Sequence, residues 1–554
     1  MSSSPLTDDR QLSSENTPGL TAHGRDRDRM EWVVPLLVFI VSLLYLSLFR
    51  RYSAMDPDEG IVLQGAERIL RGEIPYRDFF SFYTPGSLYL LASIFRAFGD
   101  SFIVARTSIA IVGAGFSVVT YLLARRVCSR QIAFLAAGLT MTTGAAYRFL
   151  VLHNWYATFF ACLSVYAAVR LLESHKVTWA FATGSFAALT TLIEQSKGAG
   201  LCIGLVIGYI VLRFWGEKQA PRISAVWPGF VWPCIIVLVY FGSKGALEAM
   251  FQDWLWPLRH YTQVNNVFYG DQSWSMHARD TILYTGAWWI RIWKYLAISP
   301  GFIVPVLPLG AIAGLVYSTL RLRNRDSSRN GEYYVIVTAT FSGLLLSVVI
   351  VRPDINHFMY LAPMWYVVLA WILGAREVRS PMLQILRPYL VGYVCIAFGL
   401  MGLALLLKVN GAGNQIQTRR GTIMTPAKDT VIEYVQGHTA PGDELLVYPY
   451  LPLYNYLTKT QSPARLDFLQ VGMNTPEQAD EIIASLKSRK VHAVLFEPGF
   501  GEKFATSWPG TPLRNIANDP VADFIAHNYR VCSPLTTSSG WRFQFMVRKG
   551  ENCT

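Results

Sequence analysis

The sequence predicts a polytopic α-helical membrane protein with about eleven transmembrane helices and an α/β domain at its carboxyl end. Three observations lead there. Of 554 residues, 52% are hydrophobic and only 16% charged, and the mean hydropathy is +0.29. Soluble domains carry about 25% charged residues, which excludes a disordered chain and argues against a water-soluble enzyme. Apolar runs of roughly 17–23 residues, each able to cross a ~30 Å hydrocarbon core, recur through the first three quarters. Beyond residue 410 the composition shifts to short β-rich runs and amphipathic stretches.

Taken in order, residues 1–30 are polar and rich in Ser, Asp and Arg, the composition of a disordered tail. The membrane part, 31–409, holds spans at 32–49, 102–124, 131–147, 151–172, 177–193, 199–215, 223–242, 298–320, 333–351, 358–374 and 388–407. The first run lacks a small-residue cleavage site, so it reads as a retained anchor. Two long loops, 50–101 and 243–297, interrupt the series.

Orientation follows from the cations. One set of alternate loops holds about fifteen Lys and Arg, from Arg125 and Arg126 to Arg387, whereas the short loops opposite hold Arg148, Lys197 and Arg352. This places the amino terminus in the cytoplasm, with the long loops and the carboxyl-terminal part outside. The net charge of +12 is thus an orientation signal, and no nucleic acid is expected as a partner.

In 410–554, Thr425-Pro426 and Thr475-Pro476 each set a capping hydroxyl before a proline at a first helical position, and Thr475 with Gln478 forms a capping box. Runs 443–449, 491–496 and 541–548 read as strands. Five cysteines (128, 162, 202, 234 and 395) lie in or beside spans, as small buried apolar residues do. Cys532 and Cys553 both fall outside, where a disulfide is permitted but not dictated by spacing. The chain has no CxxC, HExxH or His-rich cluster, so no zinc site is expected.

The polar chemistry collects on the outer face. Asp56, Asp58 and Glu59 follow the first span and open an amphipathic stretch that stops at Arg71-Gly72. Pro75-Tyr76-Arg77-Asp78-Phe79-Phe80 and Thr84-Pro85-Gly86 come next, then an apolar segment, 87–98, too short to span and suited to the interface. Asp58 also fits a plainer role as the N-cap of the 59–71 helix. Asp56-Pro57-Asp58 is formally a D-x-D, weak evidence for a divalent cation. Between the fifth and sixth spans lies Glu194-Gln195-Ser196-Lys197, and between the ninth and tenth Arg352-Pro353-Asp354-Ile355-Asn356-His357. Lys197 could contact a phosphate or simply snorkel at a helix end. Arg352 could grip phosphate bidentately or pair with Asp354. His153 and His260 face outward as well, though a lone His more often serves as a structural hydrogen-bonder. The loop 243–297 is rich in Trp and Tyr, from Trp254 to Trp293, serving as a sugar platform, an aromatic belt, or both.

The run Asp58-Glu59-Gly60, then Arg71-Gly72-Glu73-Ile74-Pro75-Tyr76-Arg77-Asp78-Phe79, then Thr84-Pro85-Gly86-Ser87-Leu88-Tyr89, resembles the first outer loop of the GT-C glycosyltransferases. The similar branch contains the dolichyl-phosphate-mannose protein mannosyltransferases and the lipid A aminoarabinose transferases; the tail resembles bacterial members. The resemblance implies a sugar donor carried on a polyprenyl phosphate, inversion at the anomeric carbon, and a catalytic carboxylate in the Asp58–Glu59 pair, at Asp58. It implies no catalytic metal and no cofactor.

That chemistry suits these residues. A carboxylate must take the proton of the attacking hydroxyl. The phosphate leaves as an anion, so fixed cations are needed where its charge develops rather than a second carboxylic acid. Lys197, Arg352 and His357 are the candidates for the donor phosphate, and Arg77, Asp78, Tyr83, His153, Glu194, Asp354 and His260 for the substrate lining. The expected partners are the lipid-linked donor, an extracytoplasmic acceptor (lipid, glycan or protein) and membrane lipid, and the expected location is a bacterial inner membrane. The alternative is a non-catalytic transporter or lipid-handling protein, which would carry its functional ionisable residues at mid-span.

Overall fold

A computed structural model describes residues 22–216, 223–261, 267–270, 285–324, 329–374, 381–467, 474–499, 518–538 and 540–553. The membrane part is helical: α1 (Ala22–Ser47), α2 (Pro57–Leu70), α3 (Gly86–Phe98), α4 (Phe102–Val127), α5 (Arg130–Thr143), α6 (His153–Ser174), α7 (Val177–Ile193), α8 (Gln195–Trp215), α9 (Val226–Ser243) and α10 (Leu247–Trp256). Then come α11 (Trp288–Ile298), α12 (Leu307–Arg323), α13 (Arg329–Val351), α14 (Ile355–Met359), α15 (Ala362–Gly374) and α16 (Pro381–Asn410).

Among the described residues, six helices are long and apolar enough to cross a membrane, or seven if a bent pair counts as one span. Shorter apolar helices, including Trp32–Ser47, Val177–Ile193 and Ala362–Gly374, stand beside them. Their outward faces are apolar: Leu37, Ile40 and Leu44 on α1, Ile235 and Val239 on α9, and Leu403 and Leu407 on α16 are exposed. Lipid is the solvent for such a surface. Because lipid gives helices no hydrophobic reason to associate, close backbone approach does so instead. Gly200 and Gly204 of α8 face Gly343 of α13 so tightly that a Cβ on any of them would overlap the opposing main chain.

Three expectations change. Helix α1 begins at Ala22, inside the 1–30 segment expected to be disordered: 22–30 holds no proline, and a helix nucleated in the apolar stretch that follows propagates backward through it. Residues 1–21 lie outside the described residues. The span expected at 298–320 is instead a pair of segments bent by 52°, where Pro300, Pro305 and Pro308 remove backbone donors. The span expected at 358–374 is broken at Tyr360-Leu361, just ahead of Pro363, into α14 and α15. The apolar segment 87–98 forms α3, whose Leu88, Leu91, Ala92 and Phe95 are buried in the core shared with α2 and α4.

After α16 the chain becomes α/β. Strands β1 (Asn414–Thr418) and β2 (Gly421–Thr425) form an antiparallel hairpin. A four-stranded sheet follows in the order β3 (Leu445–Tyr448), β4 (Ala493–Phe496), β6 (Arg542–Arg548), β5 (Tyr529–Thr536), with β3 and β4 parallel and the rest antiparallel. Its helices are α17 (Val431–His438), α18 (Leu453–Thr458), α19 (Pro476–Ser488) and α20 (Pro520–Asn528). The three expected strands correspond to β3, β4 and β6, and the Thr475–Gln478 capping box is present. Thr425-Pro426 does not start a helix. The Thr425 hydroxyl donates to Ala427 O (2.8 Å), and α17 begins only after Asp429, whose carboxylate accepts from Val431 N (3.0 Å). Cys532 and Cys553 are joined in a disulfide that ties β5 to the carboxyl-terminal residues.

This region packs directly on the membrane part. Leu453 of α18 meets Gly60 of α2 so closely that a Cβ there would strike its backbone. Arg68 of α2 donates to Asp467 Oδ1 (2.8 Å) and Ala464 O (3.1 Å), and the buried Arg420 pairs with Glu67 and Asp100.

Candidate active site

Helix α2 is built to present carboxylates. Asp56 is its N-cap, accepting from Asp58 N at 3.0 Å, and Pro57 takes the first helical position with its preset φ. The cap is therefore Asp56 and not Asp58, because Pro57 occupies N1. Asp58 and Glu59 stand in the first turn, where the helix dipole favours negative charge. Successive helical positions point about 100° apart, so these neighbours face different surroundings.

Glu59 turns inward and is fully buried. Arg106 of α4, also fully buried, meets it with two N–O distances of 2.6 Å, and Val151 N donates to it at 2.9 Å. A carboxylate with no exposed surface cannot touch a substrate, so the structure separates Glu59 from Asp58. Asp58 turns outward, its side chain 37% exposed. Tyr450, between β3 and α18, donates to its Oδ1 at 2.8 Å, while Arg148 donates to its Oδ2 at 3.0 Å. Burial pushes the Asp58 carboxyl up, but the Arg148 guanidinium and these two donors outweigh it and hold it below the usual carboxylate range. Asp56 shares Arg148 at 2.7 Å, yet burial and the neighbouring Asp58 charge leave its carboxyl raised.

Arg148 sits in a turn between α5 and α6. Its carbonyl accepts from the Trp155 indole (3.0 Å) and Leu150 N (2.8 Å), which fixes its backbone. Nη1 donates to the Tyr360 hydroxyl at 2.6 Å. Tyr360 comes from the break between α14 and α15. Its ring lies 5.3 Å from Lys197 Nζ, 5.0 Å from the Trp155 ring and 5.7 Å from the His357 ring.

Around this hub stand two further ion pairs. Lys197 donates to Glu194 Oε2 at 2.7 Å, Asn154 donates to the same oxygen at 3.3 Å, and His153 Nε2 lies 4.0 Å from it. Burial raises the Glu194 carboxyl, but the charge and hydrogen bond of Lys197 together with the nearby His153 and His357 outweigh it, and the net shift is downward. Tyr83 packs its ring on His153 at 4.0 Å between centroids. On the other side, Asp354 caps α14 and takes Arg352 Nε at 2.7 Å together with His357 N (2.9 Å) and Nδ1 (2.7 Å). Burial acts upward on Asp354, and the His357 and Arg352 contacts bring it well below the ordinary range.

The structure thus gathers Asp56, Asp58, Arg148, His153, Glu194 and Lys197, with Tyr360 linking them to the Arg352–Asp354–His357 turn. These residues come from successive loops of one alternating set, and α4 runs from Arg106 beside Glu59 to Arg126 at the opposite end, where Arg126 and Arg170 pair with Glu173. Arg77 and Asp78 stand elsewhere: they pair with each other at 2.8 Å, and Arg77 also donates to Lys244 O, bracing the loop surface. His260 closes an aromatic row, His260–Trp256–Phe82–Tyr83–His153, with centroids 4.0–5.6 Å apart. Of the loop aromatics, Trp254 and Trp256 pack inward, Trp288, Trp289 and Trp293 are exposed on α11, and Trp274 lies outside the described residues. Asp56 and Asp58 converge on a guanidinium, and no group of three or more His, Cys, Asp or Glu among the described residues is arranged to hold a metal.

Sequence reasoning missed three residues of this site. Arg148 had a signal, being the cation of a short loop in the cation-poor set. Tyr360 and Tyr450 had none, since nothing in a tyrosine's neighbours along the chain says which carboxylate or guanidinium it will meet.

Residues 83–256 match the family model described as dolichyl-phosphate-mannose-protein mannosyltransferase, a stretch that includes Arg148, His153, Glu194 and Lys197 but not Asp58. A comparison with curated protein sequences finds no match. Among solved structures, ArnT from Cupriavidus metallidurans bound to undecaprenyl phosphate aligns with a TM-score of 0.55 at 14% identity, covering 96% of this chain and 99% of its own. The apo form of that ArnT aligns at 0.54 and 12% identity, covering 94% and 98%. The oligosaccharyltransferase AglB from Archaeoglobus fulgidus, in complex with an inhibitory peptide and a dolichol-phosphate, aligns at 0.50 and 12% identity, covering 94% of this chain and 74% of its own. Residues 83–256 are thus similar to the protein mannosyltransferase family model, and the chain shares its fold with ArnT and AglB.

Proposed function

We propose that this chain is an inverting glycosyltransferase that moves one sugar from a polyprenyl-phosphate donor to an extracytoplasmic acceptor. The observation that carries the reading is Asp58: an outward carboxylate whose oxygens are both engaged, bonded to Arg148, which Tyr360 links to Lys197 and to the turn that carries Arg352. In this reading Asp58 orients the acceptor hydroxyl and takes its proton as the hydroxyl oxygen bonds to the anomeric carbon. The anomeric bond to the phosphate oxygen breaks, and its electron pair leaves with the phosphate. Arg148, Lys197 and Arg352 receive that charge, with His357 beside them. Glu59 acts only through Arg106, by fixing the first turn of α2.

The same reading sets the topology. Eleven crossings, from α1, α4 to α9, the α11–α12 pair, α13, α15 and α16, put the amino terminus in the cytoplasm and the C-terminal α/β region outside, over the site, in a bacterial inner membrane. The test is transfer of radiolabelled sugar from undecaprenyl-phosphate-linked donors by the purified protein. Wild type transfers label and Asp58→Asn retains less than about a hundredth of the rate; transfer by Asp58→Asn at the wild-type rate removes the proposed base.

A further inference from the structure

The C-terminal α/β region does more than sit over α2, because one of its side chains reaches the outward carboxylate. Tyr450 is 3% exposed and donates to Asp58 Oδ1 at 2.8 Å. Its position is fixed from both sides. Upstream, the buried Tyr448 ends β3 and its hydroxyl bonds to Asp519, the N-cap of α20. Downstream, α18 lies against α2 at Gly60, and Tyr456 donates to Asp100 O at 2.8 Å. Phe80 N donates to Arg465 O at 3.0 Å, and Arg68 reaches Asp467, so the first outer loop and the α/β region are joined on either side of this turn. A rigid donor thus meets a carboxylate standing on the first turn of a helix.

The two donors divide the carboxylate between them. Arg148 takes Oδ2 and Tyr450 takes Oδ1. A carboxylate held at both oxygens keeps one orientation, and a hydrogen bond to its charged form favours ionisation. A hydroxyl can donate to the carboxylate yet carries no charge that would compete for an anionic donor. We propose that Tyr450 is a positioning residue: the C-terminal α/β region completes the site by orienting Asp58 and keeping it ionised. This rests on the reading of Asp58 as the base, which is tested separately above.

The test needs no identified sugar. A water-soluble carbodiimide couples an amine to protonated carboxyl groups, and peptide mass spectrometry reads the extent of coupling at Asp58 against pH in the intact protein. With Tyr450→Phe, the pH at which Asp58 coupling is half-maximal rises by about one unit. With Tyr448→Phe, which loses the donor to Asp519 instead, it stays where the wild type has it. Installing 3-fluorotyrosine at position 450, whose hydroxyl is the stronger donor, lowers it and serves if Tyr450→Phe does not fold. An unchanged midpoint in both position-450 variants, or an equal rise in Tyr448→Phe, overturns the proposal. Loss of transfer in Asp58→Asn with an unmoved midpoint in the Tyr450 variants sinks this inference and leaves the proposed base standing. A moved midpoint with full transfer by Asp58→Asn does the reverse.

Discussion

Arg148 Nη2 lies 3.0 Å from Asp58 Oδ2, and the same nitrogen lies 2.7 Å from Asp56 Oδ2. One guanidinium from the turn after α5 therefore bridges two carboxylates at the start of α2. Tyr360 holds its other end, so Arg148 cannot serve either acid without staying in register with the Lys197 side of the site.

Replacing Arg148 with Ala should lower transfer about 10²–10³-fold, the usual cost of removing a donor from developing negative charge. It also removes the charge that holds the Asp58 carboxyl down. A base works when ionised, so its acid limb lies where the carboxyl titrates. With the lowering influence gone, the acid limb of kcat/KM should move to higher pH, and a pH profile of the variant checks it. Arg148→Lys should recover part of the rate, because it keeps the charge without the two-sided grip.

Breaking the Glu59–Arg106 pair on one side should unfold the protein more easily without touching the site surface. Both side chains are fully buried, and removing one partner leaves an uncompensated charge, costing about 3–5 kcal/mol. Thermal unfolding in detergent should show a lower Tm for Glu59→Gln and for Arg106→Met. The double variant should regain much of the loss, since two neutral groups carry no unpaired charge.

Arg352→Ala should weaken undecaprenyl phosphate binding about tenfold with a small change in Tm, read by lipid competition and thermal unfolding. The small stability effect follows from Asp354, which keeps both His357 donors after Arg352 is gone. A large drop in Tm with unchanged lipid affinity would assign Arg352 to the fold alone.

Asp253, on α10, offers a pH test outside the site. It is buried, accepts from Ser81 N at 3.3 Å, and burial pushes its carboxyl from 3.8 up to about 7. A carboxyl raised in the folded state gives stability that is complete below the unfolded value and lost as pH rises to the folded one. Asp253→Asn, which keeps an acceptor for Ser81, should therefore raise Tm more at pH 8 than at about pH 5.

What the sequence determined by itself is whatever depends on neighbours along the chain. Apolar run length marked α4, α6, α8 and α9, because hydrocarbon thickness sets how many residues a span needs. Residue order marked the stop at Arg71-Gly72, where Gly72 adopts a φ of 94°, and the Thr475 capping box. It also marked β3, β4 and β6, whose apolar residues are consecutive or alternate cleanly. Strand β5 escaped because Arg530, Ser533 and Pro534 interrupt its pattern and a bulge shifts its register at an exposed edge. Tertiary structure alone decided which of two adjacent acids faces outward. Asp58 and Glu59 differ by one helical position, and only the placement of Arg106 inside and of Arg148 and Tyr450 outside separates the buried anion from the exposed one. Tyr450 stands hundreds of residues along the chain from Asp58. Their hydrogen bond exists because α18 seats against Gly60, and local sequence holds no record of an approach that packing creates.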